Sequence, residues 1–212
     1  MPRDAHASRM ITDPTVLSVL DELYERERHI DWETYPWYAD PHRHAATGFS
    51  LSPEQGDQLY LLTRYGRASN VVEFATSLGF ATIYLAAAVR DSGGGVVRTA
   101  ELVPAKAEQA RENVERAGLG DYVEFLVGDA RETLAGVPDG IDLALIDGWA
   151  PEVSLEVLRV LEPKLRSGAL IYNENLDESF IDHVRGEGSG YRSVTLLSGS
   201  EYKPKGELAM RV

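Results

Sequence analysis

Cysteine is absent from all 212 residues, which excludes disulfides, thiol catalysis and cysteine-ligated metal. No run of uninterrupted apolar residues approaches the roughly 18 needed to cross a bilayer. The opening Met1-Pro2-Arg3-Asp4-Ala5-His6 lacks the apolar stretch of a signal peptide, so the expected location is cytoplasmic, with no membrane partner. Basic residues are in the minority. The 21 Lys and Arg stand against 34 Asp and Glu, a formal net charge of -13, which disfavours nonspecific binding to nucleic acid. There is no internal repeat and no low-complexity tract. The length suits one α/β domain with a sizeable core.

The chain is organised around Val71-Val72-Glu73-Phe74-Ala75-Thr76-Ser77-Leu78-Gly79. Its apolar, β-branched start predicts a buried strand. Small residues and a Gly follow, and the apolar stretch from Phe80 to Val89 predicts a buried helix. A strand, a tight small-residue turn and a helix N-terminus let backbone N–H groups approach a ligand closely. The turn lacks both the G-x-G-x-x-G of a dinucleotide fold and the Lys of a P-loop. The acid within it, Glu73, repels phosphate and suits a cationic or hydroxyl-bearing ligand.

Asp13 and Pro14 start a first helix with Val16, Leu20 and Leu23 on one face. Residues 31–44 are aromatic, carry two prolines and show no period. They read either as a loop packed on the surface or as a lid or substrate wall. Ser52-Pro53-Glu54-Gln55 is a capping-box helix start. Strands are then expected at Val71, at Val96 to Ala100, at Tyr122 to Val127, at Ile141 to Ile146 and at Gly168 to Tyr172, each followed by a helix. Pro163 should break the last turn of the helix that begins at Pro151. Two closing strands, near residues 191–197 and 207–212, have no helix between them and should be antiparallel. The expected fold is therefore α/β: a doubly wound, mostly parallel seven-stranded sheet with an antiparallel last strand. An N-terminal helix and aromatic segment (residues 1–50) would precede the main domain (51–212). Ligands of such sheets bind at the C-terminal strand ends, and polar residues gather there: Glu73, Glu101, Asp129, Asp147, Glu174 and Asn175.

In this order, Val71 to Gly79, Glu101, Gly128-Asp129-Ala130, Asp147-Gly148-Trp149 and Glu174-Asn175 resemble the class I S-adenosylmethionine (SAM)-dependent methyltransferases. Within them the chain is similar to the catechol O-methyltransferase-like bacterial family, from about Leu51 to the C-terminus. The resemblance implies a Rossmann-like fold and SAM as cofactor. Glu73, Ala75, Ser77 and Gly79 would hold its amino-acid part, with Leu51 and Ala81 at the same end. Glu101 would accept the ribose hydroxyls, Asp129, Ala130 and Arg131 would lie beside adenine, and Trp149 would pack near the cofactor. Where the family has Gly, this chain has Ala75, whose methyl restricts φ.

In metal-dependent members three oxygen ligands hold Mg²⁺. The matching positions are Asp147, Glu174 and Asn175, with Glu174 one methylene longer than the family Asp. The family commonly has Lys after Asp-x-Trp; this chain has Ala150, which can do no proton chemistry. The proton acceptor is then sought among Asp147, Glu174, His42 and His44, ahead of Lys203 and Lys205. The expected activity is methyl transfer to a small-molecule acceptor, first to a hydroxyl oxygen. The alternatives are an amine acceptor or a SAM-binding protein that has lost transfer. A nicotinamide dehydrogenase is disfavoured by the missing glycine motif. A homodimer is the expected assembly.

Overall fold

A computed structural model describes residues 7–31, 34–35, 40–148, 151–174, 176–198 and 204–212. Trp149, Ala150, Asn175 and Lys203, singled out above, lie outside the described residues. Seven helices accompany seven strands among the described residues. The helices are α1 (Pro14–Glu27), α2 (Pro53–Gly66), α3 (Phe80–Asp91), α4 (Pro104–Arg116), α5 (Ala130–Thr133), α6 (Pro151–Leu161) and α7 (Glu178–Arg185). The strands are β1 (Asn70–Phe74), β2 (Val96–Glu101), β3 (Val123–Val127), β4 (Ile141–Ile146), β5 (Leu165–Asn173), β6 (Tyr191–Leu197) and β7 (Lys205–Arg211).

The sheet order is β3-β2-β1-β4-β5-β7-β6. The first five strands are parallel, and β7 runs antiparallel to both β5 and β6. Period-two alternation splits the side chains between two faces. Val71, Val97, Leu143, Leu145 and Tyr172 join α1 to α4 in one core cluster. Val72, Ala100, Ala144, Ile146 and Ile171 face the α5–α7 side. Helix α3 is buried along Phe80 to Val89, because it lies between the sheet and the outer helices. Val16, Val19, Leu20 and Leu23 of α1 belong to that same cluster, so the N-terminal helix shares the main core.

Local chemistry sets the helix starts. Asp13 caps α1 by accepting from Thr15 N, with Pro14 in first position. Ser52 and Gln55 form a reciprocal capping box at α2. After α6, Pro163 supplies no N–H, and the chain passes through a 3₁₀ turn at Glu162–Lys164 into β5, which opens at Leu165 and is longer than the sequence suggested.

Candidate active site

The strand register aligns the C-terminal tips. Phe74 pairs with Ala100 and Ile146, Glu101 with Val127, and Ile146 with Asn173. Gly128, Glu101, Ala75, Asp147 and Glu174 therefore form a row across the edge of β3, β2, β1, β4 and β5. A partly open cleft lies along this row from Gly128 to Asp147, and Glu174 is not among the residues that line it.

The turn after β1 is tightly wound. Ala75 has φ 74°, Ser77 φ 52° and Gly79 φ 87°. Ala75 N and Thr76 N both donate to Ala100 O, fixing the turn to β2. Asn113 Nδ2 donates to Leu78 O at 3.0 Å, and a Cβ at Gly79 would press on the backbone of Ala110. Helix α4 thus holds the turn from its other side.

Glu101 ends β2 at 7% exposure. One carboxylate oxygen accepts from Ser77 N at 2.8 Å and the other from Val103 N at 2.9 Å. Burial raises its pKa; the Val103 N–H and the Lys106 ammonium oppose that rise. Each oxygen keeps a lone pair for a ligand donor.

Ala75, Ser77, Glu101, Asp129, Ala130, Arg131, Asp147 and His44 line the cleft, and so do Phe49, Leu102, Lys106 and Val153. Asp129 caps α5 by accepting from Arg131 N, and the Arg131 guanidinium pairs with both Asp129 and Glu156.

Several expected residues stand outside this wall. Glu73 shares the strand face of Val71, so its side chain points under α3 and not off the strand end. It is fully buried, and one oxygen accepts from the Thr82 hydroxyl at 2.6 Å. The other has no hydrogen-bond partner among the described residues, and burial pushes the carboxyl pKa up to about 7. Its position is that of a support beneath the turn. Leu51 and Ala81 are core side chains, Gly79 is packed on α4, and Lys205 is exposed at the start of β7.

His42 is exposed, with its backbone N bonded to Asp40, because the 3₁₀ turn at Pro41–His44 directs it away from the buried side that takes His44. His44 Nδ1 lies 2.8 Å from the Tyr35 hydroxyl, which also meets the Thr47 hydroxyl at 2.7 Å. Its Nε2 is buried without a hydrogen-bond partner among the described residues. The His44 ring packs edge-on to Phe49, and Gln109 of α4 donates to Ala45 O. His44 therefore stands on the α4 side of the cleft, whereas Asp147 marks the β4 side.

The N-terminal wall is anchored. Phe49 N donates to Ser77 Oγ at 3.1 Å. Glu27, at the end of α1, accepts from Ser50 N and from the Ser50 hydroxyl. A Cβ at Gly48 would collide with the Glu27 carboxylate. Phe49 and Lys106 were not singled out from sequence. The usable signal was Lys106, Ala110, Asn113 and Ala117 at helical spacing along the buried stripe of α4.

The wall suits SAM: a carboxylate with free lone pairs for ribose, apolar surface at Leu102, Ala130 and Val153 for adenine, and a close backbone turn. For a metal the fit is partial. Asp147 and Glu174 leave adjacent strand tips side by side, but among the described residues no group of three His, Cys, Asp or Glu could hold an ion.

Residues 72–175 match a family model described as a methyltransferase domain. The chain is 39% identical over 129 residues to a catechol O-methyltransferase of Mycobacterium tuberculosis, covering 60% of this chain and 57% of that one. It is 34% identical over 134 residues to a catechol O-methyltransferase of Niastella koreensis, covering 60% and 58%. The chain thus spans under three fifths of the length of these curated relatives. Among solved structures, a cofactor-bound protein from MTB superposes with a TM-score of 0.70 at 28% identity, over 96% of this chain and 99% of that one. The O-methyltransferase of Bacillus cereus in complex with SAH superposes with a TM-score of 0.70 at 23% identity, over 92% and 91%. In its fold, its row of strand tips and these likenesses the chain is similar to the class I SAM-dependent methyltransferases.

Proposed function

We propose that the protein transfers a methyl group from SAM to a hydroxyl oxygen of a small molecule. The observation that carries this reading is Glu101, a carboxylate held by two backbone N–H groups in a cleft that continues along the strand tips to Asp147. SAM, when bound, supplies a methyl group on a sulfonium centre, open to in-line displacement. The chain's own part is to orient and to take a proton. Glu101 accepts ribose hydroxyls. The turn from Ala75 to Gly79 offers backbone close to the amino-acid end. Leu102, Ala130 and Val153 exclude water from the adenine face.

Asp147 is the proposed proton acceptor, because it lines the cleft at the end where the row passes towards Glu174. His44 faces the cleft from the opposite wall and is the second candidate. The hydroxyl acceptor is favoured over an amine by the O-methyltransferase relatives, and the net charge of -13 favours a small molecule over nucleic acid. The alternative is a divalent cation held by Asp147, Glu174 and Asn175, which would lower the pKa of a bound hydroxyl; Asp147 would then be its ligand, and the proton would pass to His44. A homodimer is also proposed, supported by the exposed Val194 and Leu197 on edge strand β6; sedimentation showing a single chain at micromolar concentration would remove it.

The test begins with calorimetry. SAH should bind the wild type, and Glu101→Ala should weaken it by about 1.5–3 kcal/mol, the scale of hydrogen bonds to a charged group. Unchanged affinity would count against the site. With a methyl acceptor drawn from a panel of catechols and phenols, Asp147→Asn should lower kcat/KM by roughly 10²–10⁴-fold. A comparable loss in His44→Ala with Asp147→Asn unaffected would transfer the role to His44. Full activity after exhaustive chelation would eliminate the cation.

A further inference from the structure

We propose that Lys106 is a cofactor-binding residue, its ammonium donating to the oxygen of a ribose hydroxyl whose proton goes to Glu101. The proposal rests on the SAM reading above. Lys106 lies in the first turn of α4, five positions after Glu101. It is only 6% exposed and lines the cleft. Its Nζ sits 4.6 Å from the centroid of the Phe49 ring. Among the described residues it makes no hydrogen bond and no ion pair within 4.0 Å.

A buried ammonium with three donors is costly to leave without acceptors. The Phe49 face compensates only part of that cost. Glu101 and Glu27 both act on Lys106 through their charge, and Lys106 acts in return on Glu101. The two charges are close enough to feel each other, yet they do not touch. The gap between them faces the cleft.

The chemistry of the gap is specific. Glu101 can only accept, and Lys106 can only donate. A hydroxyl does both, so one placed between them satisfies a lone pair of the carboxylate and a proton of the ammonium together. Either ribose hydroxyl of SAM has this character. A carboxylate, phosphate or ammonium in the same place would be repelled by one of the two groups. Phe49 fixes the lysine from above, and its own backbone is fixed to Ser77, which also donates to Glu101. Residues 40–50 and the ribose acid are thereby joined through one side chain.

The experiment is calorimetric titration of wild type and Lys106→Met with SAH and with its 2′-deoxy and 3′-deoxy counterparts. Wild type that does not bind SAH overturns the SAM reading, and this proposal with it. Given wild-type binding, Lys106→Met should weaken SAH by about 10–100-fold. Against one of the deoxy ligands the same substitution should cost no more than about twofold, since the hydroxyl it addresses is missing. Unchanged SAH affinity overturns the assignment. An equal loss against all three ligands also overturns it, because that is the signature of a lysine that only shapes the wall. Should Lys106→Met fail to fold, Lys106→Gln carries the same comparison.

Discussion

Glu73 and Ala75, two positions apart, both stand in environments unfavourable to them. Glu73 has no exposure, a hydrogen bond from Thr82, and a pKa raised to about 7 by burial. A carboxyl whose pKa is higher folded than unfolded stabilises the fold below the unfolded value, near 4.5. That stability is lost as pH rises through 7. Glu73→Gln should therefore match wild type near pH 5 and exceed it at pH 8. The upper limit is on the order of 3 kcal/mol. Denaturant melts at both pH values measure this, and a difference independent of pH would refute it. Ala75 adopts φ 74°, at a cost of roughly 1–2 kcal/mol for a residue with a Cβ. Ala75→Gly removes that cost and adds about 0.5–1 kcal/mol of unfolded-chain entropy. The variant should be as stable as wild type or up to about 1 kcal/mol more stable. A loss of more than about 1 kcal/mol would show that the methyl packs usefully.

Helix α2 and the wall from residue 40 to 50 depend on a few polar contacts. Ser52 is buried, and its hydroxyl and backbone both bond Gln55. Ser52→Ala should cost about 1 kcal/mol in thermal or chemical melts. Gly48→Ala should separate Glu27 from Ser50 and weaken SAH binding more than it lowers stability; the opposite ranking would mean the wall is irrelevant to the ligand. The elements themselves were largely legible in the sequence. Apolar runs with β-branched residues marked the strands, and Asp13-Pro14 and Ser52-Pro53-Glu54-Gln55 marked two helix starts. Placement of β7 between β5 and β6 was not legible, because strand order depends on pairings between distant residues. The row of strand tips was legible at Glu101 and Asp147, which end or follow apolar strand runs and which line the cleft. Lys106 and Phe49 meet only because the wall folds onto α4, and no local pattern encodes a contact between residues 57 positions apart. Glu73 was assigned towards the cleft by its place in a motif; alternation along β1 turns it inward.

At the scale of the whole molecule, a ligand that binds only the folded chain must stabilise it. SAH at about 100 times its Kd should add about 2.7 kcal/mol, raising Tm by roughly 5–10 °C for a chain of this size. Glu101→Ala should reduce that rise at the same ligand concentration. No rise in wild type would contradict the proposed cofactor. All the cleft-lining strand ends lie on one edge of the sheet, and the turn between α3 and β2 lies on the other. Gly93 and Gly94 in that turn have φ 108° and 116°, and apart from each glycine and its chain neighbours no heavy atom of the described residues stands within 4 Å of where either Cβ would be. A fluorescent reporter inserted between them, or new chain termini cut there by circular permutation, would leave the covalent neighbours of every cleft residue intact. The protein thus carries a ready attachment point for a sensor whose signal domain hangs from the edge opposite its ligand.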